Sequence, residues 1–294
     1  MTRRNILTVL FWMTGALVWF SATAVAVRAL SPTFSVFEIL AMRNAAGVVI
    51  LLAAAGVNPS LRAALVPHRM GLHAIRNGIH FGATYAWTLA VTLLPLATAF
   101  ALEFTTPVWV AGLAVLMLGE RLTLPRIVAI VLGFVGVIVI LRPGLETLRP
   151  AAIIMLGAAL GFALTAIATK RLTAVVSTFA VLFWMNAIQL PLNLIGTGSA
   201  FWTKIGAAHA LPLATICISG LLSHLCLTNA YRHGDATMVV PLDFLRIPLI
   251  AVVGWQLYGE SLDPFVFVGS ALIIVGILWN LRAEARPAAR KASA

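Results

Sequence analysis

Residues 94–141 read LPLATAFALEFTTPVWVAGLAVLMLGERLTLPRIVAIVLGFVGVIVIL. Two apolar spans flank one short polar turn, Gly119-Glu120-Arg121, and the first span holds an acid and a proline, Glu103 and Pro107. Each span has about the 20 residues that a helix needs to cross a bilayer. Glu103 lies six residues into its span, roughly 9 Å deep at the helical rise. A carboxylate at that depth costs several kcal/mol in lipid, on the order of 2.5–3.5 even on mild scales, so such groups face a cavity or a partner.

The stretch has a counterpart 140 residues on. Gly119-Glu120 matches Gly259-Glu260, Leu122 matches Leu262 and Gly136 matches Gly276. Glu103 matches Asp243, and Phe104 matches Phe244. Further upstream, 35–43 resembles 178–186 at an offset of 143. Several matches at nearly one offset predict two copies of one unit.

Composition sets the environment of both copies. Of 294 residues, 61% are hydrophobic and 10% are Asp, Glu, Lys or Arg, against about 25% charged in soluble domains. Apolar runs separated by brief charged turns predict an all-α integral membrane protein. Its ten spans fall near 6–27, 36–55, 72–93, 97–118, 124–141, 151–169, 177–196, 210–230, 236–257 and 264–281. They group as a first repeat over 1–146, a second over 147–282 and a basic cytoplasmic tail over 283–294. Five spans per copy is an odd number, so the second copy enters the membrane from the opposite face. Inverted repeats of this kind underlie alternating access in secondary transporters.

The net charge of +11 would suggest nucleic acid in a soluble chain. Here the basic residues sit mostly in turns and set orientation. With the N-terminus cytoplasmic, thirteen Lys and Arg fall on cytoplasmic segments and four (Arg28, Arg142, Arg149, Lys204) on external ones. That bias predicts both termini inside. Cys217 and Cys226 share one span nine residues apart, roughly 13–14 Å along a helix. They are too distant for a disulfide and read as small buried residues. The spacings expected of a metal site, a cofactor or a nucleotide-binding loop are missing.

Candidate transport residues are the polar groups within the spans. Asp243 and Arg246 share a helix face at i,i+3, flanked by Pro241 and Pro248. Proline bends a helix and frees a carbonyl, as Pro107 does one turn after Glu103. The Asp243–Arg246 pair either serves a binding site or only joins helices. Arg43 sits where it can approach Glu103 or Asp243, whereas Arg76 lies close enough to the cytoplasmic side to snorkel. Glu38, at i,i+5 from Arg43, is not placed to pair with it. His80 and His224 are either proton relays or packing residues. Asn186 and Gln189 suit helix contacts or a pocket lining. Tyr85, Trp87 and Trp109 offer faces on which an aromatic substrate can stack, although aromatics also fill lipid-facing surfaces. Glu120 and Glu260, beside Gly119 and Gly259, suit caps or braces of the turns. Gly133 with Gly136 offers a close helix contact.

With Pro107, Leu118-Gly119-Glu120-Arg121-Leu122 and the glycine-rich fifth span in view, the chain resembles the EamA-type ten-helix branch of the drug/metabolite transporter superfamily over about 8–281. The second copy departs at Ser261, where the first has Arg121. The resemblance implies a basket of ten helices around a central cavity lined by spans three, four, eight and nine. It implies export of small metabolites from a bacterial inner membrane; YddG-type exporters of aromatic amino acids are among the similar proteins. The expected partners are a small molecule and the lipid bilayer, with protons as a candidate coupling ion and the protein as a monomer. Other readings are a multidrug exporter, an ion-coupled importer or a channel. An intramembrane enzyme would need a motif such as HExxH or GxSxG, which the sequence lacks.

Overall fold

The computed structural model describes residues 3–94, 96–141, 150–258 and 264–292. Among them the regular structure is helical. The first half comprises α1 (Arg3–Leu30), α2 (Val36–Val57), the short α3 (Pro59–Ala63), α4 (Met70–Leu93), α5 (Leu96–Glu103), α6 (Thr106–Leu118) and α7 (Leu124–Leu141). The second comprises α8 (Pro150–Thr173), α9 (Thr178–Leu194), α10 (Ala210–His233), α11 (Ala236–Asp243), α12 (Arg246–Tyr258) and α13 (Pro264–Ala292). Four stretches, 6–30, 36–57, 150–173 and 207–233, are long and apolar enough to cross a bilayer.

Two expected spans are not single helices. The fourth is split into α5 and α6, and the ninth into α11 and α12. Each first segment ends on the internal acid, Glu103 or Asp243. The cause of the first break is local. Pro107 stands in the first turn of α6 and has no N–H for the carbonyl of Glu103, four residues back. The Thr106 hydroxyl supplies that donor instead, at 2.6 Å. Pro248 likewise offers no hydrogen to the carbonyl of Phe244. The prolines do not occupy equivalent positions in the two copies, yet the breaks do.

The residue after each acid marks where the breaks meet. Phe104 and Phe244 are both fully buried and stack with ring centroids 5.7 Å apart and planes at 23°. Phe244 also lies over Gly133 of α7, where a Cβ would come within 2.5 Å of its ring.

The helix pairing is unchanged when the halves are exchanged. α1 packs along α10, and its counterpart α8 packs along α4, the counterpart of α10. α2 packs on its own counterpart α9, and α7 on α13. In the last seam the helices nearly touch: a Cβ on Gly136 would lie 2.6 Å from the Gly269 carbonyl oxygen, and one on Gly276 would lie 3.3 Å from Cα of Ala129. Small residues permit such approach, and in lipid close packing is a main driving force for helix association.

Both ends of the bundle are tied across the halves. At one end Glu120 accepts from the backbone N–H of Ala236 at 3.1 Å, so it caps the start of α11 in the other half. Gly119 ends α6 with φ +67°, the left-handed conformation that glycine adopts without strain. Beside it Arg126 pairs across the halves with Asp235 at 3.0 Å, and within the second half Lys170 donates to the carbonyls of Tyr231 and Gly234 at 2.9 and 2.5 Å. At the other end Glu38 completes a capping box with Ser35 and pairs with Lys204 at 2.8 Å. Gly259 and Glu260 lie outside the described residues.

Candidate functional site: a buried charged cavity

Inside the bundle lies a cavity with about 130 Å³ of space that the centre of a water molecule can occupy. One water needs roughly 10–15 Å³ on that measure, so the space suits several waters or a small organic molecule. Five charged side chains line it: Arg43, Arg76, Glu103, Asp243 and Arg246. His80, His224, Trp87 and Pro107 also line it.

The acid from each half meets one arginine. Arg246 Nη2 lies 2.5 Å from Glu103 Oε1 and 3.1 Å from Asp243 Oδ2. The Arg246 and Glu103 side chains are 6% and 7% exposed, while that of Asp243 is 29% exposed. Coulomb attraction is strong in such a medium, but desolvation opposes it, so the pair holds only while both partners stay. The guanidinium sits among the rings of Phe20, Phe100 and Phe104, 5.2–5.8 Å from their centroids. That packing adds cation–π attraction. The other oxygen of Glu103 accepts from Trp87 Nε1 at 2.6 Å. Trp87 is therefore a hydrogen-bond donor to the acid as well as an aromatic wall. Trp87→Phe keeps an aromatic ring, a smaller one, and removes the donor. A hydrogen bond to a charged group contributes about 1.5–3 kcal/mol, so we expect a lower unfolding temperature in detergent and slower transport, while Trp109→Phe changes neither.

Away from this triad the two histidines meet edge to face at 4.9 Å. Phe20 lies 5.4 Å from His224 and so connects the histidines to Arg246. Nδ1 of His80 is buried without a hydrogen-bond partner. Arg76 is 2% exposed and lines the cavity, so it does not snorkel. α4 turns it inward, where it donates to Thr169 at 3.2 Å and to Asn77 at 2.7 Å. Arg43 also faces the cavity but does not reach either acid; among the described residues its hydrogen bond is a 3.5 Å contact to its neighbour Asn44. Arg246 already occupies both carboxylates.

Two expected aromatics fall elsewhere. Tyr85 packs on Phe37 with ring centroids 4.7 Å apart and planes tilted by 42°, and Trp109 is 47% exposed on the outside of α6. Both are missing from the lining, because each lies on a face of its helix turned away from the bundle centre. Asn186 packs against Gly47 and bonds back to the Leu182 carbonyl at 2.8 Å. With Gln189 it belongs to the α2–α9 seam rather than to the pocket. Spans one, two and six contribute beyond the four expected: Met13, Phe20 and Thr23 from α1, Arg43 from α2, and Phe162, Thr165 and Thr169 from α8. The threonines at i,i+4 on α8 were a readable signal, a hydroxyl stripe on an otherwise apolar helix.

Comparison with known proteins agrees with this architecture. The pattern of the EamA-like transporter family matches residues 6–142 and again 149–282. An S-adenosylmethionine uptake transporter of Rickettsia felis is 27% identical over 98% of this chain and 97% of its own length. A riboflavin transporter of Rhizobium johnstonii is 30% identical over 76% of this chain and 74% of its own. A pseudopaline exporter of Pseudomonas aeruginosa is 27% identical over 88% and 90% respectively. A solved crystal structure, at 18% identity, superposes with a TM-score of 0.75 over 95% of this chain and 96% of that one, which shows a shared fold.

Proposed function

The chain belongs to the EamA-like transporter family, and from that premise we propose how its cavity is used. A member of this family is a multi-pass membrane transporter of metabolites, not an enzyme. In our reading the two repeats, 1–146 and 147–282, lie inverted in a bacterial inner membrane with both termini and the basic tail cytoplasmic. They rock about the Phe104–Phe244 contact and expose the cavity to each side in turn. The substrate is a small amino acid with an apolar or aromatic side chain, moved outward by a monomer. The apolar part rests on Phe20, Phe162 and Trp87, all of which line the cavity.

One observation carries this reading: an acid at the matching position of each half converges on a single arginine that lines a cavity inside the bundle. A structural ion pair alone would not need that space. Uptake is the second reading, favoured by the similarity to the S-adenosylmethionine uptake transporter of Rickettsia felis. The test is transport into proteoliposomes of labelled phenylalanine, tryptophan and threonine, with and without a pH gradient and against a cationic drug as competitor. Saturable movement of the aromatic amino acids is expected, and acceleration by the gradient marks proton coupling. Absence of saturable movement for all three amino acids would refute the amino acid assignment.

A further inference from the structure

The cavity holds three guanidiniums and two carboxylates, and the carboxylates are both taken by Arg246. Arg43 and Arg76 are left over. They are 6% and 2% exposed, and among the described residues neither has a carboxylate partner. Their hydrogen bonds go to neutral oxygens of Asn44, Asn77 and Thr169. A guanidinium stays charged in proteins. Burying two of them without a counter-charge is unfavourable, because each gives up its hydration.

Arg43 is also held in place. Its Cγ and Cδ lie where a Cβ of Gly220 would stand, 2.5 Å from that position, so α10 carries a notch for the Arg43 stem. His80, with an unpartnered ring nitrogen, lines the same part of the cavity. Positive charge and a fitted stem are the features of a site built for an anion.

We propose that Arg43 and Arg76 form a carboxylate-binding pole, and that the substrate is recognised by its carboxylate rather than by its ammonium group. The inference rests on the transporter reading above and names the chemistry of its substrate. A guanidinium fork matches a carboxylate in two parallel hydrogen bonds. One negative charge also balances the single positive charge that the five ionised groups leave over. The Glu103–Arg246–Asp243 triad then remains intact while substrate is bound, and an ammonium group is tolerated but not required.

The test uses purified full-length protein in detergent and three probes with one phenyl body: 3-phenylpropanoate, phenylalanine and phenethylamine. Thermal unfolding is followed against probe concentration. Both carboxylates should raise the unfolding temperature and phenethylamine should not. Arg43→Gln and Arg76→Gln should weaken carboxylate binding about 10- to 100-fold, with Arg43→Lys falling between. Gly220→Ala retains every charge but fills the notch, so it should weaken the carboxylates as well; it also serves if the glutamine variants do not fold. Stabilisation by phenethylamine equal to that by the carboxylates, no stabilisation by either carboxylate, or unchanged affinity in well-folded Arg43→Gln would overturn the proposal. Binding without movement in liposomes would instead count against the transporter reading and leave the pole standing.

Discussion

Arg246→Ala abolishes transport and lowers the unfolding temperature of the purified protein. Two physical effects add here. Glu103, 6% exposed, loses the cation 2.5 Å away and keeps only Trp87. Breaking a buried pair from one side costs about 3–5 kcal/mol, since the remaining charge stays desolvated. Three aromatic rings also lose the guanidinium packed among them. Transport fails separately, because the two acids that Arg246 joins come from opposite halves. The double variant Glu103→Gln/Arg246→Met separates the effects: it removes both charges, so the unfolding temperature should recover while transport does not. Asp243→Asn, at a partly exposed position, should fold normally and still fail to transport. Normal transport by Arg246→Ala or by Asp243→Asn would remove the triad from the mechanism.

Gly136→Val gives the second large effect, on assembly rather than chemistry. Its Cβ would stand 2.6 Å from the Gly269 carbonyl oxygen and 2.7 Å from Ile273. Backbone cannot give way as a side-chain tip can, so α7 and α13 must separate. Overpacking of this kind costs about 1–3 kcal/mol, and here it also opens the seam behind Phe244. The comparison is Gly112→Val, where a Cβ meets nothing within 4 Å. We expect Gly136→Val to shift the melting curve down and reduce the monodisperse fraction after detergent extraction, with Gly112→Val close to the parent. Equal curves for the two variants would show that the α7–α13 contact is looser than described.

Periodicity and composition make the spans legible, and the offset of 140 pairs Glu103 with Asp243 from the sequence alone. The Asp243–Arg246 pair was also readable, being local at i,i+3. What could not be read was which distant groups meet. Glu103 and Arg246 are 143 residues apart, and a one-dimensional pattern gives no azimuth for each helix. The same ambiguity placed Trp109 and Tyr85 in the pocket and Arg76 at the rim. The broken spans were half legible: Pro107 announced a bend, but that it became a full interruption depends on Thr106 answering the Glu103 carbonyl. Phe20 and Phe162 gave no signal, because an aromatic in an apolar span looks alike on the inside and the outside.

The interleaved pairing has a consequence for biosynthesis. α1 packs along α10 and α7 along α13, so helices of the first half find these partners only when the second half emerges from the ribosome. A nascent chain stopped after α7 holds Glu103 without Arg246, an acid in lipid with no counterion. Early helices must wait beside the translocon or an insertase, and premature termination products should be cleared by membrane proteases instead of accumulating as half-proteins.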